Sequence, residues 1–103
     1  MASKCGVGWK PIVVGLLTAL DAEIAKQPAS ERASFRVVTI KQKLGALRVY
    51  MASWTEVMQA AIDAAEAASL RTCEVCSRPG KRRVCQGLWM TRCRTHRRRK
   101  RVP

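Results

Sequence analysis

The sequence predicts an α+β fold: a helix, a two-stranded antiparallel hairpin and a second helix, followed by a small C-terminal ribbon and a basic tail. Apolar residues recur at helical spacing in two segments, β-branched residues cluster between them, and the last third holds the single histidine and four of the 5 cysteines. A length of 103 residues favours one cooperative domain. We divide it into a scaffold of residues 1–70, a module of 71–96 packed on it, and a tail of 97–103.

The first helix follows a Gly-rich N-terminal arm and is predicted from Pro11 to about Lys26. Proline is favoured in the first turn of a helix, and Pro28 marks the end of this one. The apolar positions that would face the core are Val13, Leu16, Leu17, Leu20 and Ile24.

A hairpin is predicted next, because FRVVTIKQK is rich in β-branched residues and LGALRVYM follows after a break at Leu44 and Gly45. Strand alternation predicts two faces. One would carry Val37, Thr39 and Lys41, and the other would carry Arg36, Val38 and Ile40.

The second helix is predicted to begin at the stretch SWTE, with Ser53 and Glu56 forming a capping box. Strong helix formers fill the following VMQAAIDAAEAASL. A narrow apolar stripe is expected to face the core, at Val57, Ala61, Ile62 and Ala65.

The net charge of +13 is concentrated in the last third of the chain. Residues 1–70 carry eight Lys or Arg against six Asp or Glu, whereas residues 71–103 carry twelve against one. The first segment is typical of an ordinary folded scaffold. The second is typical of a surface for an anionic partner, with nucleic acid as the leading candidate. An anionic membrane or an acidic protein surface would be attracted by the same charge.

Cys73 and Cys76 form a CxxC pair, and Cys93 and His96 form a CxxH pair. Two intervening residues let a tight turn bring both ligands of a pair to one metal. A Cys3His set gives a closed tetrahedral shell, which is typical of structural zinc. The sequence therefore predicts one structural Zn²⁺ in a zinc-stabilised knuckle or ribbon. The alternatives are unpaired thiols in a basic tail, or a disulfide clip, which would leave His96 without a role.

Cys85 leaves another ligand set open, because it could replace His96 in a four-cysteine site. It precedes a predicted hairpin turn around Gln86 and Gly87, so we expect it to point away from the two pairs and treat it as a spectator. Cys5 is remote in sequence and is expected to be a free thiol.

The runs VVTIKQKLGALRVYM, IDAAEAASLRTCEVCSRPG and LWMTRCRTH resemble a family of short, largely uncharacterised bacterial and prophage zinc-knuckle proteins. The family pattern reads I-K-x-K-F-G-x-L-R-F-Y, then I-x-x-A-E-x-x-S, T-C-E-x-C-G-x-P-G and W-x-x-x-C-x-x-H. The resemblance covers about residues 8–96, including an opening GW-x-P. Leu44 and Ser77 stand where the pattern has Phe and Gly, and the pattern has no cysteine at the place of Cys85. The resemblance supplies no activity, but it implies metal ligands at Cys73, Cys76, Cys93 and His96.

The residues predicted to bind a partner are the cations of the module and the tail. No recognition helix follows the cysteine pairs, so phosphate and shape contacts would dominate over base reading. Trp89 lies among these cations, and we interpret it as a cover for the metal site, with base stacking as the alternative. The predicted binding residues are Lys81, Arg82, Arg83, Arg92, Arg94, Arg97, Arg98, Arg99, Lys100 and Arg101.

Two functions are consistent with these features. We expect a non-enzymatic zinc protein of phage or prophage type that binds nucleic acid or a nucleoprotein complex through its basic C-terminal face. The alternative is a phage-encoded inhibitor of a host defence complex, such as an anti-CRISPR protein, which acts by binding protein.

We expect neither an enzyme nor a small-molecule substrate, because a closed metal shell leaves no position for one. Asp63 and Glu66 lie three apart on the second helix. We interpret them as carboxylates that pair with nearby Arg or Lys residues and so fix the zinc loop onto this helix.

The apolar run PIVVGLLTAL is too short to span a bilayer and lacks a cleavage-site pattern before DAEIAK. We therefore expect a cytoplasmic protein of a bacterial host cell with no membrane partner. In that compartment CxxC pairs are more often metal ligands than disulfides.

Overall fold

The computed structural model describes residues 6–85 and 87–97, without the side chains of Cys85 and Arg97. It is a mixed α+β structure, as predicted, and the predictions for Cys5, Gln86 and residues 98–101 lie outside the described residues. Two 3₁₀ turns, Val7–Trp9 and Arg32–Ser34, precede the first helix and the first strand. The other elements are α1 (Lys10–Ala25), β1 (Val37–Lys43), β2 (Ala46–Met51), α2 (Glu56–Ser69), β3 (Lys81–Cys85), β4 (Leu88–Arg92) and α3 (Arg94–Arg97).

Helix α1 supplies one side of the hydrophobic core. Pro11 lies in its first turn, where the missing N–H has no helical acceptor to lose. The predicted apolar face is the one that packs: three of its residues are buried, and Leu17 and Ile24 are partly buried against them. The core cluster consists of Trp9, Val13, Leu16, Leu20, Ile40, Leu47, Val49, Met51, Met58, Ile62 and Ala65.

The hairpin β1–β2 turns at Leu44 and Gly45, as predicted. Lys43 pairs with Ala46, so the loop has only these two residues, with φ of 53° at Leu44 and 80° at Gly45. Positive φ at both central positions is the signature of a type I′ turn, whose twist matches that of the flanking strands. Glycine adopts this conformation freely, whereas leucine does so only with strain.

The strict alternation predicted for β1 is wrong near its start. A bulge between Val37 and Thr39 inserts one extra residue on this strand. As a result Val37 and Ile40 both pack on the core, although they are three residues apart, and Val38 is exposed.

The cap and the apolar face predicted for α2 are also corrected. Thr55, not Ser53, is the N-cap, because its hydroxyl accepts a hydrogen bond from the Met58 amide at 3.2 Å. Glu56 is therefore the first helical residue and cannot reach back as a capping-box partner. Val57 is 57% exposed, because the longer Met58 enters the core in its place. The buried positions of the helix are Met58, Ile62, Ala65 and Ser69.

Helix α2 also supplies hydrogen-bond acceptors to the open edge of β2. The Leu47 amide donates to Ser69 Oγ at 2.9 Å, and the Val49 amide donates to Glu66 Oε2 at 3.1 Å. Arg48 pairs with the same carboxylate at 3.4 Å. Unpaired strand amides thus find acceptors on the helix, which protects an edge that would otherwise be free to pair.

The interpretation of Asp63 and Glu66 as groups that fix the zinc loop is therefore wrong. Glu66 binds β2, and Asp63 accepts a hydrogen bond from Gln59 of its own helix at 2.8 Å. Sequence spacing revealed that the two carboxylates lie near one another, but not which strand edge needed an acceptor.

Replacing Leu44 with Asn should stabilise the protein, because Asn tolerates positive φ and Asn-Gly is a preferred type I′ sequence. We expect a gain of about 0.5–1 kcal/mol in the free energy of unfolding, measured by urea denaturation. Leu44→Ala is the control, since it removes the same exposed side chain without this preference. Equal stability of the two variants would contradict the strain assigned to the turn.

Candidate metal centre and basic hairpin

The first cysteine pair lies in a tight loop between α2 and β3. The Cys73 amide donates to the Arg78 carbonyl at 2.7 Å, and the Ser77 amide donates to the Cys73 carbonyl at 3.0 Å. The Val75 amide points at Cys73 Sγ, 3.4 Å away. Ser77 has φ of 73°, a conformation that favours glycine. The loop closes tightly enough to turn both sulfurs of the pair to one side.

The second pair is brought to the first by the hairpin β3–β4. Cys93 follows β4 directly, and α3 is a single turn in which the His96 amide donates to the Cys93 carbonyl at 3.1 Å. This turn places His96 Nδ1 at 3.3 Å from Cys93 Sγ and 3.6 Å from Cys73 Sγ. The sulfurs of Cys76 and Cys93 are 3.6 Å apart.

The donor atoms of Cys73, Cys76, Cys93 and His96 all lie within 4.8 Å of one another, as predicted for ligands of one metal. With metal–sulfur bonds of about 2.3 Å and metal–nitrogen bonds of about 2.0–2.1 Å, a tetrahedral site has sulfur–sulfur separations of about 3.8 Å and sulfur–nitrogen separations of about 3.6 Å. Three of the six separations, at 3.6, 3.6 and 3.3 Å, lie near these values. They exceed by far the S–S bond of about 2.05 Å, so the three cysteines are free thiols.

The environment of the cluster favours thiolates at two positions. Burial raises the pKa of the Cys93 thiol, but hydrogen bonds from the His96 amide and from the neighbouring cysteines outweigh it and lower this pKa to about 7. Burial also raises the pKa of Cys73, but backbone amides, that of Cys93 foremost, bring it below its ordinary value. The Arg78 amide lowers the pKa of Cys76, while burial and the other two sulfurs raise it further than that. A bound cation would neutralise the two thiolates and favour loss of the proton from the third sulfur.

Cys85 lies at the opposite end of the hairpin from the cluster. Its backbone pairs with Leu88 beside the turn, whereas Lys81 pairs with Arg92 next to Cys93. The two ends of β3 are four residue steps apart, a distance of about 13 Å. The position of the Cys85 backbone therefore agrees with its treatment as a spectator.

Glu74, between the two cysteines of the first pair, is a buried carboxylate that joins three parts of the fold. Its Oε1 accepts from Gln42 of β1 at 2.9 Å and from the Thr91 amide of β4 at 3.3 Å. Its Oε2 accepts from Nε and an NH2 group of Arg92, at 3.3 and 3.2 Å. This carboxylate fixes the cysteine loop to both hairpins at once.

Sequence reasoning missed Glu74, although a signal was present. It is the only acidic residue among the twelve cations of residues 71–103. A lone carboxylate among so many Lys and Arg side chains is expected to form an ion pair with one of them. What the sequence lacks is the identity of that partner and the contact with β1.

The N-terminal segment also packs against the cysteine loop. The Gly8 amide donates to the Glu74 carbonyl at 2.8 Å, and Ser77 Oγ donates to the Gly8 carbonyl at 2.6 Å. A Cβ built on Gly8 would lie 2.3 Å from the Cys73 carbonyl oxygen, so only glycine fits there. The buried Trp9 donates from Nε1 to the Thr72 carbonyl at 2.9 Å. Residues 6–9 are thus part of the packed structure and not a loose arm.

The cations of the second hairpin are divided between its two faces. Alternation places Arg82 on one face. Cations of the opposite face and of the start of α3 line a groove of about 320 Å³ beside Cys93. Arg92 is neutralised by Glu74, whereas the buried Nε of Arg83 has no hydrogen-bond partner within the described residues. The lining cations are Lys81, Arg83, Arg92 and Arg94.

Trp89 packs on the other face of this hairpin. The guanidinium carbon of Arg82 lies 4.2 Å from the centre of the indole ring, and the side chain is 41% exposed. Trp89 pairs with Val84 in the half of the hairpin next to the turn. Its described partner is therefore Arg82, and the interpretation of Trp89 as a cover for the metal site gains no support.

The fold and the site together define a small α+β protein. Its Cys3His cluster joins the loop before a basic hairpin to the turn after it. No family model, curated protein or solved structure matches the chain. The family resemblance drawn from the sequence therefore stays a prediction. Within residues 6–85 and 87–97, no helix combines the length and apolar character needed to cross a bilayer.

Purified protein should contain one metal ion per chain, measured by elemental analysis. Cys73→Ser and Cys93→Ser should each lose it and unfold much of the last third, since a structural zinc contributes on the order of 10–16 kcal/mol to folding. Cys85→Ser is the matched control and should keep full metal content. Loss of metal in Cys85→Ser together with its retention in His96→Ala would establish a four-cysteine site instead.

Replacing Glu74 with Ala should lower the free energy of unfolding of the metal-loaded protein by about 3 kcal/mol. The change leaves Arg92 without its carboxylate and the Thr91 amide without a side-chain acceptor in a buried site. Asp63→Ala is the control, because Gln59 is the one partner of that exposed carboxylate among the described residues, and its effect should stay within about 0.5 kcal/mol. Urea denaturation in excess metal measures both, and equal effects would contradict the joining role of Glu74.

Proposed function

We propose that this chain is a non-enzymatic zinc protein that binds nucleic acid, alone or within a nucleoprotein complex, through its basic second hairpin and C-terminal tail. The proposal has two parts, the identity of the metal and the nature of the partner. The phage or prophage character belongs to the same proposal and rests on the sequence resemblance alone.

Zinc is the metal that suits the donor set of Cys73, Cys76, Cys93 and His96. Three thiolates and one imidazole in tetrahedral array are preferred by Zn²⁺, whereas calcium and magnesium prefer oxygen ligands. All four tetrahedral positions are taken by protein atoms, which leaves none for a substrate. When bound, zinc would supply a cross-link between the first loop and the end of the hairpin, and would neutralise the clustered sulfur charge.

The partner proposal rests on the cations around this centre that form no ion pair with a carboxylate. In the described part of the chain, Arg92 is the one cation of residues 71–97 that forms an ion pair, with Glu74. The remaining ion pairs found there, Lys26–Glu23 and Arg48–Glu66, belong to the scaffold. The cations with no such partner are Arg71, Arg78, Lys81, Arg82, Arg83 and Arg94.

Such an accumulation of like charge destabilises the folded protein by repulsion until an anionic partner binds. Lys81, Arg83 and Arg94 line one groove, and within the described residues none of the three has a carboxylate partner. A polyanion relieves this repulsion and gains the entropy of its released counterions. A phosphodiester backbone, with regularly spaced charges, fits several cations along a ribbon better than a single acidic side chain does.

Binding to a nucleic acid should weaken steeply with salt. If about six cations contact phosphates, the logarithm of the association constant should fall with the logarithm of salt concentration at a slope near −5 for duplex DNA. Lys81→Ala combined with Arg94→Ala should make the slope shallower by about two units. The control pair is Lys10→Ala with Arg36→Ala, which removes the same charge from exposed scaffold positions. Titration by fluorescence anisotropy gives the slopes, and identical slopes in the two double variants would contradict binding through the hairpin.

The inhibitor hypothesis gives the same basic face a protein partner. Capture from a bacterial host lysate with and without nuclease separates the two functions. Nuclease-sensitive capture supports nucleic-acid binding, whereas nuclease-resistant capture of one defined complex would replace it with the inhibitor hypothesis.

A further inference from the structure

An exposed apolar patch lies at the turn end of the second hairpin, and nothing in the metal centre accounts for it. Farther along β4, Met90 and Thr91 are buried, and the Thr91 hydroxyl donates to the Gly45 carbonyl at 2.7 Å. Toward the turn, the hairpin extends past this contact and its side chains become exposed. The exposed apolar side chains at this end are Leu44 (54% exposed), Val84 (52%), Leu88 (61%) and Trp89 (41%). Val84 and Trp89 share one face of the hairpin, and Leu88 lies on the other.

The indole of Trp89 is held in place by Arg82, which is itself hydrogen-bonded to the scaffold. Arg82 stacks on the ring at 4.2 Å, and its Nε donates to the Leu44 carbonyl at 2.7 Å. The guanidinium therefore cannot leave the ring without losing a hydrogen bond to the first hairpin. A planar group fixed in this way binds a flat partner with little further loss of side-chain entropy.

The charge around the patch indicates an anionic partner. Arg82 lies within it, and Lys43, the residue before the Leu44 turn, is exposed and unpaired among the described residues. The single carboxylate of residues 71–103, Glu74, is buried and already bound to Arg92. A surface that combines an aromatic ring, a stacked arginine and uncompensated cations matches the requirements of single-stranded nucleic acid, in which bases stack on rings and phosphates meet cations.

We infer that the partner is single-stranded nucleic acid, with one base stacked on the Trp89–Arg82 pair and neighbouring phosphates held by Arg82 and Lys43 at the same end of the hairpin. This inference rests on the proposed nucleic-acid binding and narrows it. In a duplex the bases stack on each other and present only their edges, so the indole has no flat surface to engage. The single-stranded form is therefore bound more tightly than the duplex.

The test compares a labelled single-stranded oligonucleotide with a duplex of the same length and sequence, in DNA and RNA forms, by fluorescence anisotropy. Trp89→Ala should weaken binding of the single strand about tenfold, since stacking on one aromatic ring is worth about 1–3 kcal/mol. Its affinity for the duplex should change little. Trp54→Ala is the matched control, because Trp54 is 55% exposed but lies between β2 and α2, and its affinity should equal that of the wild type.

A second measurement does not depend on the truncated variant being folded. In Trp54→Phe protein, fluorescence comes from the exposed Trp89 and from Trp9, which is fully buried. Saturation with the single strand should quench the Trp89 part of the emission, while the duplex should leave it nearly unchanged.

The outcomes separate this inference from the function on which it rests. Wild-type protein that binds no nucleic acid in any form contradicts the proposed function itself. Binding that is as tight for the duplex as for the single strand, or an unquenched indole at saturation, overturns the single-strand inference and leaves phosphate binding standing. Equal losses in Trp89→Ala and Trp54→Ala would also overturn it. If Trp89→Ala weakens capture of a host protein instead, the patch is a protein interface.

Discussion

Three sulfurs and one ring nitrogen, drawn from two loops about twenty residues apart, must occupy a space a few ångströms across. That requirement determines the last third of the molecule. The first loop must close around Ser77, the hairpin β3–β4 must return the chain, and α3 must turn at once to present His96. Without a cation the thiolates would repel one another, so this last third should be poorly folded in a metal-free state.

The scaffold holds the cluster through contacts of three kinds. Gly8 and Trp9 pack on the backbone of the cysteine loop, the Gly45 turn packs on β4, and the Glu74 carboxylate reaches Gln42. A Cβ built on Gly45 would lie 2.9 Å from the Met90 amide nitrogen, so this approach depends on the absence of a side chain. The core of the scaffold and a metal bound in the last third would therefore stabilise one continuous structure.

Local patterns predicted the elements well, because helical periodicity, a Leu-Gly break between β-branched runs and CxxC spacing each reflect contacts within a few residues. The proximity of Cys73, Cys76, Cys93 and His96 followed for the same reason. The errors concern contacts between distant segments. Trp9 and Thr72 are 63 residues apart, and neither residue type indicates the other. The bulge at Val38, the Thr55 cap and the acceptors for the β2 edge were decided by packing that no short window contains.

The crowding of Lys81 and Arg83 of β3 with Arg94 beyond β4 has a thermodynamic consequence if nucleic acid is the partner. The metal pins together the strands whose like charges push apart, and a polyanion screens that repulsion. Both ligands then favour the same closed hairpin, so by linkage each raises the affinity of the protein for the other. On the same condition, loss of the metal would weaken nucleic-acid binding, and a bound strand would raise the chelator concentration needed to remove the metal.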